Sequence, residues 1–265
     1  MVLKPAELLP EEHRWQAALF DALPEAGFRV ARPRRGHDGA VTIDGWCAWG
    51  WLAGRHEPLW RDIITVGERF HDALQTIPRP AFLDERRDPW AVGDRVAWGE
   101  LPLASLLQKV APFELGALAH LDRLMAALRP VEARSQLVHG DLGGNVLFEP
   151  GLPPAIIDFS PYWRPQAFAA AVVIADALTW EGADISILGG ISRLTEFPQY
   201  LFRALIHRIV TEQMLRPTHR IEPTDGDPYR PVVDLACSLG DSWTKDRGPM
   251  SSGNANAATP EDRRV

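Results

Sequence analysis

Four side chains that can do chemistry fall within a short stretch of the chain: His139, Asp141, Asn145 and Asp158. Two carboxylates and an amide brought to one point suit a hard divalent cation, which takes oxygen ligands and is usually shared with substrate phosphates. Such a set is the core of a phosphoryl-transfer site. The residues between them supply the means of convergence. Val146-Leu147-Phe148 reads as a short apolar strand, Gly151-Leu152-Pro153-Pro154 as a turn, and Ala155-Ile156-Ile157 as the returning strand. A hairpin sets its two ends side by side, so Asn145 and Asp158 are expected at neighbouring strand ends, with Asp141 on the loop before them. A surface hairpin with polar ends is the ordinary alternative. The full pattern, His-Gly-Asp, then strand, turn and a strand ending in Asp158-Phe159, is more specific than that.

His139-Gly140-Asp141 with Asn145, followed by Ile157-Asp158-Phe159-Ser160, resembles the catalytic and metal-binding segments of the aminoglycoside phosphotransferase and choline kinase-like enzymes. Those enzymes share the protein-kinase fold. The resemblance implies that Asp141 orients the acceptor hydroxyl and takes its proton, and that Asn145 and Asp158 hold Mg²⁺ on the nucleotide phosphates. It implies ATP and Mg²⁺ as cofactors and a hydroxyl of a small molecule as acceptor. Asp88-Pro89-Trp90, the run from Asp94 to Glu100 and the run from Asp158 to Pro165 resemble an actinobacterial branch of the same superfamily. The spacing departs at one point: the family pattern has four residues between the catalytic Asp and the Asn, where Leu142-Gly143-Gly144 supplies three. Glycines reach backbone conformations closed to other residues, so a tighter loop can still deliver Asn145.

The elements that must position these groups have to be built from 265 residues, enough for one large domain or two lobes sharing a core. A hydrophobic content of 46% with 24% charged residues is that of a soluble globular chain. The net charge of −7 argues against a nucleic-acid binder, since there is no overall basic field. Two distant cysteines, Cys47 and Cys237, form no metal or disulfide pattern and fit a reducing cytoplasm. No long apolar run or signal-peptide pattern appears, so neither membrane spanning nor export is expected.

Met1 to Pro5 reads as the end of a strand, and a helix follows from about Pro10 to Leu23 with Trp15, Leu19 and Leu23 inward. In the resembled fold a strand ending in Val-Leu-Lys precedes such a helix, which makes Lys4 the contact to the nucleotide α- and β-phosphates. Glu12 is a weak candidate for its helix partner, because acidic residues in a first turn are usually explained by the helix dipole. The family's glycine-rich hairpin would precede Lys4, and nothing in this chain corresponds to it. Phe28–Val30 and Ala40–Ile43 read as strands around a His37-Asp38-Gly39 turn, and Trp46 to Leu52 as a third strand. The resemblance makes Gly50, Trp51 and Leu52 the hinge that hydrogen-bonds adenine; the tryptophans there wall a purine pocket or simply serve as core.

Helical periodicity is expected over 58–77 and 112–128, with residues 78–99 lacking a clean period. Leu115, Leu118, Leu121, Met125 and Leu128 are expected beneath the catalytic loop. Residues 165–180 form a strongly apolar helix whose Asp176 needs hydrogen-bond partners if buried. Further helices are expected at 184–194, 197–216 and 229–240, and a disordered tail from 245. These readings give an α+β, two-lobed protein-kinase-like fold with a truncated N-terminal β-lobe (1–54) and a larger helical C-terminal lobe (55–244). The expected activity is ATP- and Mg²⁺-dependent phosphotransfer to a small-molecule hydroxyl. A non-catalytic pseudokinase that binds nucleotide or a protein partner is the competing reading, supported by the missing hairpin and the short Asp-to-Asn spacing. A metal-dependent hydrolase using the same carboxylates is the third.

Overall fold

A strand alternates its side chains between two faces, and β1 (Val2–Pro5) uses that period to turn Lys4 inward while Leu3 is left 57% exposed. The structure, a computed structural model, describes residues 1–108, 112–189, 191, 196–216 and 226–247. After β1 come α1 (Pro10–Ala22), β2 (Arg29–Val30), β3 (Pro33–Arg34), β4 (Thr42–Ile43) and β5 (Trp46–Trp49). β5 organises the first sheet: β1, β3 and β4 all pair with it antiparallel, and Lys4 lies opposite Cys47.

The expected turn at His37-Asp38-Gly39 is present, closed by Gly36 N donating to Ala40 O at 2.9 Å. The strands it was expected to join do not pair with each other. β4 instead forms a hairpin with β5 through Asp44-Gly45, whose φ angles are 48° and 78°. A two-residue type I′ turn needs positive φ at both positions, and Asp-Gly is among the dipeptides that supply it. β2 leaves this sheet altogether and pairs parallel with β8 (Ala155–Ile156), which is also antiparallel to β7 (Val146–Leu147). The hairpin that carries the site is therefore tied directly to the β-rich segment.

The helical part comprises α2 (Trp60–Leu74), α3 (Pro89–Ala97), α4 (Leu103–Leu107), α5 (Leu115–Ala127), α6 (Gln166–Thr179), α7 (Phe197–Leu215) and α8 (Arg230–Arg247). β6 (Gln136–His139) and β9 (Pro161–Arg164) form a separate antiparallel pair, which places His139 at a strand end and not on a loop. α7 is the centre of the core. Leu201, Leu205, Ile206 and Val210 are fully buried, and α3, α5, α6 and α8 pack around it.

α3 was not legible as a helix because it is short and interrupted by Gly93 and Asp94. Its start is set by Asp88, whose Oδ1 accepts from Ala91 N at 2.9 Å, and by Pro89 in the first turn. Gly93 is required by the helix crossing: a Cβ there would lie 2.5 Å from Thr211 Oγ1 and 2.7 Å from the His207 carbonyl oxygen. Leu115, expected in the core, is 85% exposed at the start of α5, and that helix packs against α7 and α8 rather than beneath the catalytic loop. The helix expected at 184–194 is a 3₁₀ turn over Ile185–Leu188; residues 190 and 192–195 lie outside the described residues. α8 continues to Arg247, into the segment expected to be a disordered tail, of which residues 248–265 lie outside the described residues. Among the described residues no helix is long and apolar enough to cross a membrane.

Candidate active site

The loop between β6 and β7 is shaped by its own hydrogen bonds. Asn145 N donates to Leu142 O at 3.0 Å, and Gly144 takes φ of 73° to close that turn. A side chain at Gly144 would strain the left-handed backbone, so the glycine is what lets three residues span the distance from Asp141 to Asn145. Asn145 Nδ2 then donates to the Asp141 carbonyl oxygen at 2.7 Å and to Asp141 Oδ2 at 3.2 Å. Across the hairpin, Ile157 N donates to Asn145 O at 3.0 Å, which brings Asp158 beside it. Asp158 itself sits at φ of 49°, an uncommon conformation for a residue with a side chain.

Beneath the loop, His139 ties the two aspartate segments together. Its Nδ1 accepts from Asp141 N at 3.1 Å, and its Nε2 lies 3.1 Å from Ile157 O. One ring nitrogen must accept and the other donate, so the imidazole is neutral with its proton on Nε2. The His139 backbone N–H in turn donates to His71 Nε2 at 3.0 Å. Burial pushes the His139 imidazole down to about 4 and the His71 imidazole down to about 3, from an ordinary value of 6.5. Both groups bind a proton in the unfolded chain near pH 6 but not in the fold, so their contribution to stability is complete above pH 6.5 and is lost as pH falls. Lowering the pH from 6 to 5 is expected to cost roughly 1 kcal/mol for each histidine. Urea midpoints measured across that range check this, and a midpoint that stays flat would show that the pair is not held neutral.

Lys4 forms an ion pair with Asp158, both side chains being part-exposed. Burial lowers the Lys4 pKa from its ordinary value, opposed by the neighbouring Cys47. Glu12 is not its partner: this carboxyl is 2% exposed on α1, and burial, opposed by Arg86, raises its pKa. Asp141 is instead met by Arg208 from α7, Nη2 to Oδ1 at 2.6 Å. The same guanidinium binds Asp176 of α6 in a bidentate fashion, Nε to Oδ1 at 2.8 Å and Nη2 to Oδ2 at 2.5 Å. Burial opposes charge on Arg208, but its two carboxylates outweigh that and hold it above its ordinary range. Asp176 thus has the partner that its place in an apolar helix demanded. Arg208 had no motif to announce it; the one signal was a basic residue within a long apolar helix.

Lys4, Asp141, Asn145 and Asp158 line one cavity of about 610 Å³, together with Gly50, Trp51 and Leu52. The segment that leads away from Leu52 is stapled to the hairpin, since Arg55 and Phe148 exchange backbone hydrogen bonds at 2.9 and 3.1 Å. Trp49 lines the cavity and packs edge-on against Phe20, while Trp51 is 66% exposed. Trp46 stands half-exposed outside it, so the three tryptophans do not act as one wall. The donor set suits a small hard cation. With its Nδ2 spent on Asp141, Asn145 has its carbonyl Oδ1 left as a ligand beside the Asp158 carboxylate. Mg²⁺ needs one or two carboxylates and completes its shell with water and phosphate oxygens. Among the described residues no group of three or more His, Cys, Asp or Glu is placed to hold a metal.

The profile of the phosphotransferase enzyme family (APH) matches residues 1–162. The structure of spectinomycin phosphotransferase APH(9)-Ia, in complex with ADP and spectinomycin, superposes with a TM-score of 0.52 at 12% identity over 89% of this chain and 80% of that one. The apo form of a thermostable mutant of aminoglycoside phosphotransferase APH(4)-Ia gives 0.52 at 13% identity over 95% and 87%. Aminoglycoside phosphotransferase APH(4)-Ia itself gives 0.51 at 15% identity over 93% and 86%. No curated protein matches the sequence. At these identities the solved structures speak for the fold, an α+β kinase-like one with a small β-rich part and a larger helical part. The family match spans residues 1–162 of 265, well over half, and on that ground this chain belongs to the phosphotransferase enzyme family.

Proposed function

We propose that this protein transfers the γ-phosphoryl group of ATP to a hydroxyl of a small molecule. The observation that carries the reading is the meeting of Lys4, Asp141, Asn145 and Asp158 with Gly50 to Leu52 in one cavity. In this reading Gly50, Trp51 and Leu52 hold the adenine end, Lys4 neutralises phosphate oxygens, and Asn145 and Asp158 hold Mg²⁺. The bound cation supplies charge neutralisation on the phosphates. Asp141 orients the acceptor hydroxyl and takes its proton as the new O–P bond forms and the bond from phosphorus to the ADP oxygen breaks. Positioning and preorganised charge carry such a reaction, and the chain's rigid loop is suited to both. The ADP seen with spectinomycin phosphotransferase APH(9)-Ia supports a nucleotide ligand. The spectinomycin in that structure supports a small-molecule acceptor. We assign residues 1–54 to the nucleotide-side lobe and 55–244 to the helical lobe, in a cytoplasmic protein whose Cys47 and Cys237 are free thiols.

The test is thermal stability with ATP, with and without Mg²⁺, for the wild type and for Asp158→Ala. A ligand that binds the native state raises stability by RT ln(1 + [L]/Kd), about 2.7 kcal/mol at one hundred times Kd. The wild type is expected to gain a Mg²⁺-dependent shift that the variant lacks. A shift equal in both proteins would remove Asp158 from the metal site, and no shift in the wild type would overturn the nucleotide reading. A normal shift without phosphate transfer to any hydroxyl acceptor would instead mark a nucleotide-binding pseudokinase.

A further inference from the structure

α7 is buried along most of its length, yet it delivers the Arg208 guanidinium to Asp141, which lines the cavity. Asp141 stands on a loop with its side chain 41% exposed, a setting in which a carboxylate ordinarily samples several rotamers. Here both of its oxygens are taken: Oδ1 by Arg208 at 2.6 Å and Oδ2 by Asn145 at 3.2 Å. We propose that Arg208 is the positioning residue of the transfer reaction, fixing the Asp141 carboxylate in the one orientation that meets the acceptor hydroxyl. The inference rests on the phosphotransferase reading of the site.

The chemistry of the guanidinium explains why arginine stands there. Its donors form a rigid planar fork, so Nε and Nη2 can grip Asp176 while Nη2 also reaches Asp141. Asp176 lies on α6 and Arg208 on α7, two helices packed closely together, so the loop carboxylate is referenced to the helical core and not to another loop. A lysine ammonium is a point donor on a flexible stem and would settle on Asp176, leaving Asp141 Oδ1 without its partner. As the acceptor oxygen bonds to phosphorus and the ADP oxygen leaves, the hydroxyl proton must pass to Asp141 along a short, aligned path. A displacement of about 1 Å in such a group costs on the order of 10²-fold in rate.

The experiment compares the wild type, Arg208→Lys and Asp176→Asn. It measures phosphate release from Mg·ATP with water as acceptor, Mg·ATP affinity by calorimetry, and the crystal structure of each protein. Arg208→Lys is expected to release phosphate about 10²-fold more slowly, with Mg·ATP affinity and KM within about twofold and the Asp141 carboxylate rotated from its place. Asp176→Asn, which keeps the contact from Arg208 to Asp141, is expected to lose less than about tenfold. Three results each overturn the proposal: an unmoved Asp141 in Arg208→Lys, a rate within about threefold of wild type, or a rate loss matched by lost nucleotide affinity. Should the wild type release no phosphate to water, the position of Asp141 in the Arg208→Lys crystal decides the proposal by itself, while the phosphotransfer reading stands or falls on Mg·ATP binding.

Discussion

An Asp141→Asn variant is expected to fold normally, bind Mg·ATP as the wild type does, and lose roughly 10²- to 10⁴-fold in kcat. The fold should survive because Arg208 keeps its bidentate bond to Asp176 when Asp141 loses its charge. Nucleotide binding should survive because Lys4, Asn145 and Asp158, the groups assigned to phosphates and cation, are left in place. What disappears is the acceptor for the hydroxyl proton, a loss felt in the transition state and not in the ground state, so kcat falls and KM does not rise. The measurement is steady-state turnover beside calorimetric Mg·ATP affinity. A kcat within a few-fold of wild type would remove Asp141 from proton transfer, whereas a matched loss of affinity would place it in nucleotide binding.

The second large effect concerns stability, away from the cavity. Arg164 of β9 is held by Asp94 of α3, Nη2 to Oδ2 at 2.6 Å and Nε to Oδ1 at 3.0 Å, and by Glu100, Nη1 to Oε1 at 2.5 Å. Arg164 and Asp94 are both about nine-tenths buried, while Glu100 is half-exposed. The Arg164 guanidinium also lies 5.0 Å from the Trp98 ring centre, and that of Arg203 lies 4.8 Å from it. Asp94→Ala removes one partner of a buried pair and strands the other charge, which costs about 3–5 kcal/mol. The lower end is expected because Glu100 remains. For a domain of this size about 3 kcal/mol corresponds to roughly 6–12 °C in Tm. Urea unfolding should show a lower midpoint with an unchanged slope. A loss under about 1 kcal/mol would mean that Glu100 or water takes over the buried guanidinium.

The sequence by itself determined the hairpin that carries Asn145 and Asp158, the strand that carries Lys4, and α1, α2, α6 and α7. Each is a local matter, written in turn residues, in period-2 or period-3.6 patterns, and in an apolar run for α6. It also named Asp176 as a buried carboxylate that would need partners, since an acid in a run such as Ala169 to Ala177 has no solvent to face. The misreadings came where two patterns compete or a segment is too short to show one. Asp44-Gly45 lies close to a competing turn signal at 37–39, and α3 spans nine residues around a glycine. The identity of Asp176's partner, the choice of Asp158 rather than Glu12 for Lys4, and the departure of β2 to pair with β8 were decided by the tertiary structure alone. Each joins residues tens to more than a hundred positions apart. Such pairings depend on which helices cross and at what distance, and that follows from the packing of the whole core around α7, not from any local spacing.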